Sequence, residues 1–147
     1  MPPCLVLDTN VWLDWLVFDD PGIRPLRQVV KQGAATVAID EDCLGELARV
    51  LAYPLRRQAL GQAAQADCIA VCRAWARVVE SGPPSSTLPR CEDPDDQKFL
   101  ELADRAQAQY LLSKDRALLA LAHRPGIRFH IMTPEGFSAL NGIESGK

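Results

Sequence analysis

Histidine is nearly missing from this chain, with two copies in 147 residues. Neither His123 nor His130 completes a set of zinc ligands. Paired CxxC spacings are missing too. The five cysteines (Cys4, Cys43, Cys68, Cys72 and Cys91) are odd in number, and three of them lie inside strongly apolar periodic segments, so reduced, buried thiols are the expected state. Cys68 and Cys72 stand four apart on an expected helix, but no nearby His or third Cys makes them a tetrahedral site. No uninterrupted apolar run is long enough to span a bilayer. The start, MPPCLVLD, lacks the basic region, apolar stretch and small-residue cleavage site of a secretory signal, which makes a cytoplasmic location the expectation. Net positive charge is also absent. A formal charge of −3 and a sequence pI near 5.3 argue against broad electrostatic binding of nucleic acid by the fold as a whole. They leave open a contact bridged by metal, since an acidic cluster that holds divalent cations can attract phosphate through them.

What is present is the balance of a globular protein, 48% hydrophobic and 24% charged. The length suits one domain over residues 1–147, with a core that needs neither disulfide nor structural metal. Short branched runs, LVLD and TVAI (36–39), are each followed by a polar turn and a helical pattern, the rhythm of a parallel βαβ sheet. Helices are expected over 23–33, closed by Gly33, and over 40–53, ended by Pro54. One or two more are expected within 55–80, where Ile69, Cys72 and Trp75 to Ala76 recur at helical spacing. After a Pro/Ser-rich loop at 82–89 the alternation resumes, with a helix at 93–106, a strand at 109–113, a helix at 115–122 and a strand at 128–132. Thr133 then caps a last helix that begins at Pro134.

The stretch CLVLDTNVWL (4–13) begins as a buried strand and then places an acid, a hydroxyl and an amide where the apolar run stops. Asp8 there could simply cap a helix or close a turn. Yet acids recur at the same edge. In an open α/β sheet, ligands bind outside the carboxyl ends of the strands. Asp8 follows the first strand, Asp115 follows QYLLS by one Lys, Asp96 opens the helix feeding that strand, and Glu46 lies about a turn and a half into the helix after TVAI. Each acid alone has an ordinary explanation as a cap, a dipole partner or a solvated position. Four acids at one edge repel, and the cost falls if they share protons or bind a cation. Oxygen donors without a His or Cys array select Mg²⁺ or Mn²⁺ over zinc.

The segments LDTN at 7–10, Glu46 in LGELARVL, DPDDQKFLELA at 93–103 and YLLSKDRALL at 110–119 together resemble the PIN-domain nucleases, nearest to the toxin-like branch of toxin-antitoxin systems. The resemblance runs on to IMTPEGF. It implies a three-layer α/β/α fold with a central parallel sheet, divalent metal dependence, RNA as substrate and a cognate antitoxin protein as partner. It also implies an acidic site of Asp8, Glu46, Asp96 and Asp115, with Asn10 and Ser113 as polar supports and Asp93 as a neighbouring acid. That set suits phosphodiester hydrolysis, which needs an activated water and a stabilised leaving oxygen. Thr9 and Ser113 are positioned to orient carboxylates, although a turn hydroxyl would serve Thr9 equally.

Lys98, Lys114 and Arg116 flank the acids, and Arg56 with Arg57 makes a small basic patch; all five are candidates for phosphate contact, against the ordinary reading as solvated charge. Two other functions compete. A haloacid dehalogenase-type phosphatase also sets an Asp after its first parallel strand, but it needs a second Asp where this chain has Asn10. A noncatalytic PIN-like interaction module would not need all four acids. Trp12, Leu13, Trp15, Leu16 and Phe18 give the first helix more apolar surface than one face usually buries, which suggests a homodimer.

Overall fold

The structure is a computed structural model, and it describes residues 2–55, 59–83 and 87–140. Leu5, Val6 and Leu7 are buried on both faces of the first strand, β1 (Cys4–Leu7), as a strand at the centre of a parallel sheet requires. β2 (Thr36–Ile39) and β3 (Ala76–Val78) lie to one side of it, and β4 (Tyr110–Leu112) and β5 (His130–Met132) to the other. The order is β3-β2-β1-β4-β5 and every pairing is parallel. Helices cover the sheet in a three-layer α/β/α arrangement. The order reverses between β1 and β4, so the crevice that a doubly wound sheet offers to ligands opens beyond Leu7 and Leu112.

Seven α-helices occur among the described residues: α1 (Thr9–Leu13), α2 (Arg24–Lys31), α3 (Glu41–Leu51), α4 (Gln62–Trp75), α5 (Gln97–Arg105), α6 (Arg116–Leu119) and α7 (Pro134–Leu140). Gly33, at φ +78°, closes α2. Thr133 Oγ1 accepts from the Gly136 N–H at 3.0 Å and starts α7.

Four details depart from the sequence reading. The region 55–80 holds one described helix and then β3, a three-residue edge strand beginning at Ala76, too short for its alternation to be read. The first helix loosens into a π-turn over Asp14–Phe18. The helix expected over 93–106 opens with a 3₁₀ turn, Pro94–Asp96, before α5 begins. Finally, α6 is four residues long, because the chain turns back through His123 and Gly126, both at positive φ.

Trp12, Leu13 and Trp15 are buried in the chain's own core, with the two indoles 5.3 Å apart, while Leu16 and Phe18 are half-buried. The surplus that the sequence suggests for a dimer contact is thereby reduced to Leu16 and Phe18.

The start of α3 fixes where Glu46 sits. Asp40, 1% exposed, accepts from the Cys43 N–H at 2.9 Å with one oxygen and from the Arg105 guanidinium with the other, tying α3 to the end of α5. Asp40→Ala removes the cap and leaves Arg105 without its partner. Urea unfolding is expected to show a loss of about 3 kcal/mol, the range for breaking one side of a buried ion pair.

Candidate active site

Asp8 stands one residue past β1 and is 3% exposed. Its Oδ1 accepts from the Val11 N–H at 2.9 Å, so it does cap α1. Its Oδ2 accepts from the Ser113 hydroxyl, presented by the residue just past β4, and that hydroxyl oxygen also accepts from the Asp115 N–H at 2.9 Å. Ser113 thus ties together the loops that leave the two strands flanking the crevice. Asp115 in turn caps α6, accepting from the Leu118 N–H at 3.2 Å.

Capping accounts for an oxygen at each of these positions but not for a charge. Asn or Ser would cap as well without burying a carboxylate. Asp40 shows the contrast: it occupies the equivalent turn after β2 and has a guanidinium fixed on it. No described residue places such a cation on Asp8, and burial pushes its pKa up to about 6 in spite of the Ser113 and Val11 hydrogen bonds. Asp96, at the turn into α5, rises to about 7, first through burial and then through its hydrogen-bond and charge interactions with Asp115, with further contributions from the charges of Asp93 and Asp8. Its Oδ2 is buried without a hydrogen-bond partner. Asp8, Asp96 and Asp115 therefore form one electrostatic unit.

Glu46 completes the acidic edge in a different state. One carboxylate oxygen accepts from the Thr9 hydroxyl and the other is paired with Lys98 Nζ. Among the described residues, no three His, Cys, Asp or Glu side chains already enclose a cation-sized space. The fit to a metal rests instead on chemistry: an all-oxygen donor set, an orphaned buried carboxylate oxygen on Asp96, and two acids, Asp8 and Asp96, whose pKa values burial raises.

The remaining candidates separate clearly. Asp93 is exposed and accepts from the Asp95 N–H at 3.0 Å, which starts the 3₁₀ turn, while its charge reaches Asp96. Asn10 is exposed on the first turn of α1, with no described hydrogen bond from its side chain. Lys114 is paired with Asp14, a buried acid in the π-turn. Arg116 is exposed at the start of α6. Arg56 and Arg57 lie outside the described residues.

Sequence reasoning missed Asp40, Asp14 and Gln97. Buried Gln97 accepts from the Cys91 N–H at 2.6 Å and donates to the Pro89 carbonyl at 3.2 Å, holding the 89–91 segment beside Asp96. The signal available for Asp40 was its position, since it follows TVAI as Asp8 follows LVL. A cavity of about 680 Å³ opens at the other end of the strands, where Cys4, Thr36, Ala76 and Gln109 line it; it lies away from the carboxylates and has no part in their chemistry.

The family model described as PIN domain matches residues 4–117, which takes in β1 through the start of α6 and every acid of the site. The chain belongs to the PIN-domain family. PIN domains are in general nucleases and typically use divalent metals. No curated protein matches the chain. Family membership sets aside the haloacid dehalogenase-type phosphatase. Among the described residues of this PIN domain, no helix is long and apolar enough to cross a membrane.

The raised carboxyl pKa values carry a stability signature. The folded state binds these protons more tightly than the unfolded chain, whose carboxyls keep the ordinary value of 3.8. The contribution of these groups is therefore full below pH 3.8 and is lost as pH rises through about 6 and about 7. Without metal, Asp96→Asn is expected to raise the melting temperature at pH 7.5 and to leave it little changed at pH 4. Thermal scans at the two pH values check this.

Proposed function

We propose that this PIN domain is a divalent-metal-dependent endoribonuclease, the toxin component of a toxin-antitoxin system, with a cognate antitoxin and a second copy of the chain as its protein partners. The observation that carries the nuclease reading is the buried Asp8 carboxylate beside Asp96 and Asp115, with no Lys or Arg among the described residues ion-paired to any of the three. The choice of RNA follows the resemblance of LDTN, Glu46, DPDDQKFLELA and YLLSKDRALL to the toxin-like branch.

Asp8, Asp96 and Asp115 would hold Mg²⁺ or Mn²⁺, and the bound metal supplies the positive charge that hydrolysis of a phosphodiester requires. The chain's own residues set the geometry. Ser113 fixes one oxygen of Asp8 and the Val11 N–H fixes the other, so the rotamer of Asp8 is set before substrate arrives. Thr9 and Lys98 do the same for Glu46, which faces the site as a further ligand or as the base that orients water. Lys114, on the loop after β4, and Arg116, the first residue of α6, are candidates for the phosphates of a strand crossing the crevice, together with Lys98, Arg56 and Arg57.

Purified protein with Mn²⁺ or Mg²⁺ is expected to cleave members of a varied panel of single-stranded RNAs. Asp8→Asn and Asp96→Asn should lose most of that turnover while keeping the fold, since an amide preserves size and removes charge. Ser113→Ala should lose roughly tenfold, the scale for removing a group that orients a metal ligand. Retention of wild-type cleavage by all three variants would assign the activity to another site or to a contaminant.

A further inference from the structure

A lysine in the first turn of a helix is opposed by the helix dipole, which favours acids there. Lys98 is the second residue of α5, and its side chain does not escape into solvent. Its ammonium pairs with Glu46 Oε1 at 2.5 Å and donates to the Asp95 carbonyl, with the lysine side chain 23% exposed and the glutamate 19%. The other Glu46 oxygen is taken by Thr9. The acidic edge is therefore divided. On one side, among the described residues, no Lys or Arg is ion-paired with Asp8, Asp96 or Asp115; on the other, Glu46 is paired with a cation belonging to the chain.

We propose that Lys98 is a tethered counter-ion that takes the place of a second divalent cation, so that this PIN domain works with one metal and one ammonium. The inference rests on the metal-dependent reading above and goes beyond it by fixing the metal count and the role of Lys98. An ammonium can supply the fixed charge of a cation without requiring an octahedral set of oxygen ligands. The position already holds such charge, because the Lys98 ammonium sits on a half-buried Glu46 carboxylate whose other oxygen is bound by Thr9, the residue next to Asp8. Lys98 is in this sense a positioning residue: it holds Glu46 and keeps it from drawing in a further metal.

Counting bound Mn²⁺ by electron paramagnetic resonance and calorimetry on the full chain tests this without reference to activity. The wild type is expected to bind one Mn²⁺, Lys98→Arg one, Lys98→Met two, and Lys98→Met combined with Glu46→Gln one again. Circular dichroism checks that each variant is folded. If Lys98→Met does not fold, Lys98→Gln takes its place, with two Mn²⁺ expected on the folded variant and a count of one overturning the proposal. Two Mn²⁺ on the wild type, or one on folded Lys98→Met, would overturn it as well. Failure of the wild type to bind any would instead defeat the metal-dependent reading on which it rests.

Discussion

Carboxylate charge buried at the end of a central strand is the constraint around which the acidic edge of this PIN domain is arranged. A parallel sheet whose order reverses between β1 and β4 brings the residues after Leu7 and Leu112 together, and both turns deliver an aspartate. Removal from water and mutual repulsion then act in the same direction, toward protonation. The surrounding groups offset only part of that cost. Ser113 and the Val11 N–H hydrogen-bond to Asp8, but neither carries a charge.

Comparison among the chain's own acids shows what is distinctive about the site. Asp40 has Arg105 and Asp14 has Lys114, so each buried acid outside the cluster is neutralised within the fold. Glu46 has Lys98. Among the described residues, the cluster of Asp8, Asp96 and Asp115 has no bonded cation of this kind, and an arrangement that serves stability alone would not leave the deepest of its acids in that state. Under the proposed function, that positive charge is what a divalent metal would supply.

Much of this was legible in the sequence because it depends on local rules. LVL and TVAI announce buried parallel strands, Gly33 and Thr133 mark helix ends, and the position of each Asp just past its strand follows from the sheet alone. What escaped depends on contacts distant in the chain. β3 is too short to show a period, and its existence follows from pairing with β2. The short α6 is set by Gly126, where a β-carbon would come within 2.0 Å of the Thr87 carbonyl oxygen. Lys98 and Lys114 read as free surface cations until Glu46 and Asp14, far away in sequence, are placed against them. In the sequence the two tryptophans of the first helix fit core or interface alike, and the choice follows from the fold, which buries both side by side.

The central claim is that the fold withholds a cation from one place and that a divalent metal belongs there. A crystal of the protein soaked in Mn²⁺, with anomalous scattering collected at the manganese edge, locates that metal directly. The account predicts a manganese peak flanked by Asp8, Asp96 and Asp115 at the carboxyl ends of β1 and β4. An ordered peak elsewhere on the surface, with those three carboxylates left as they are without metal, would contradict it.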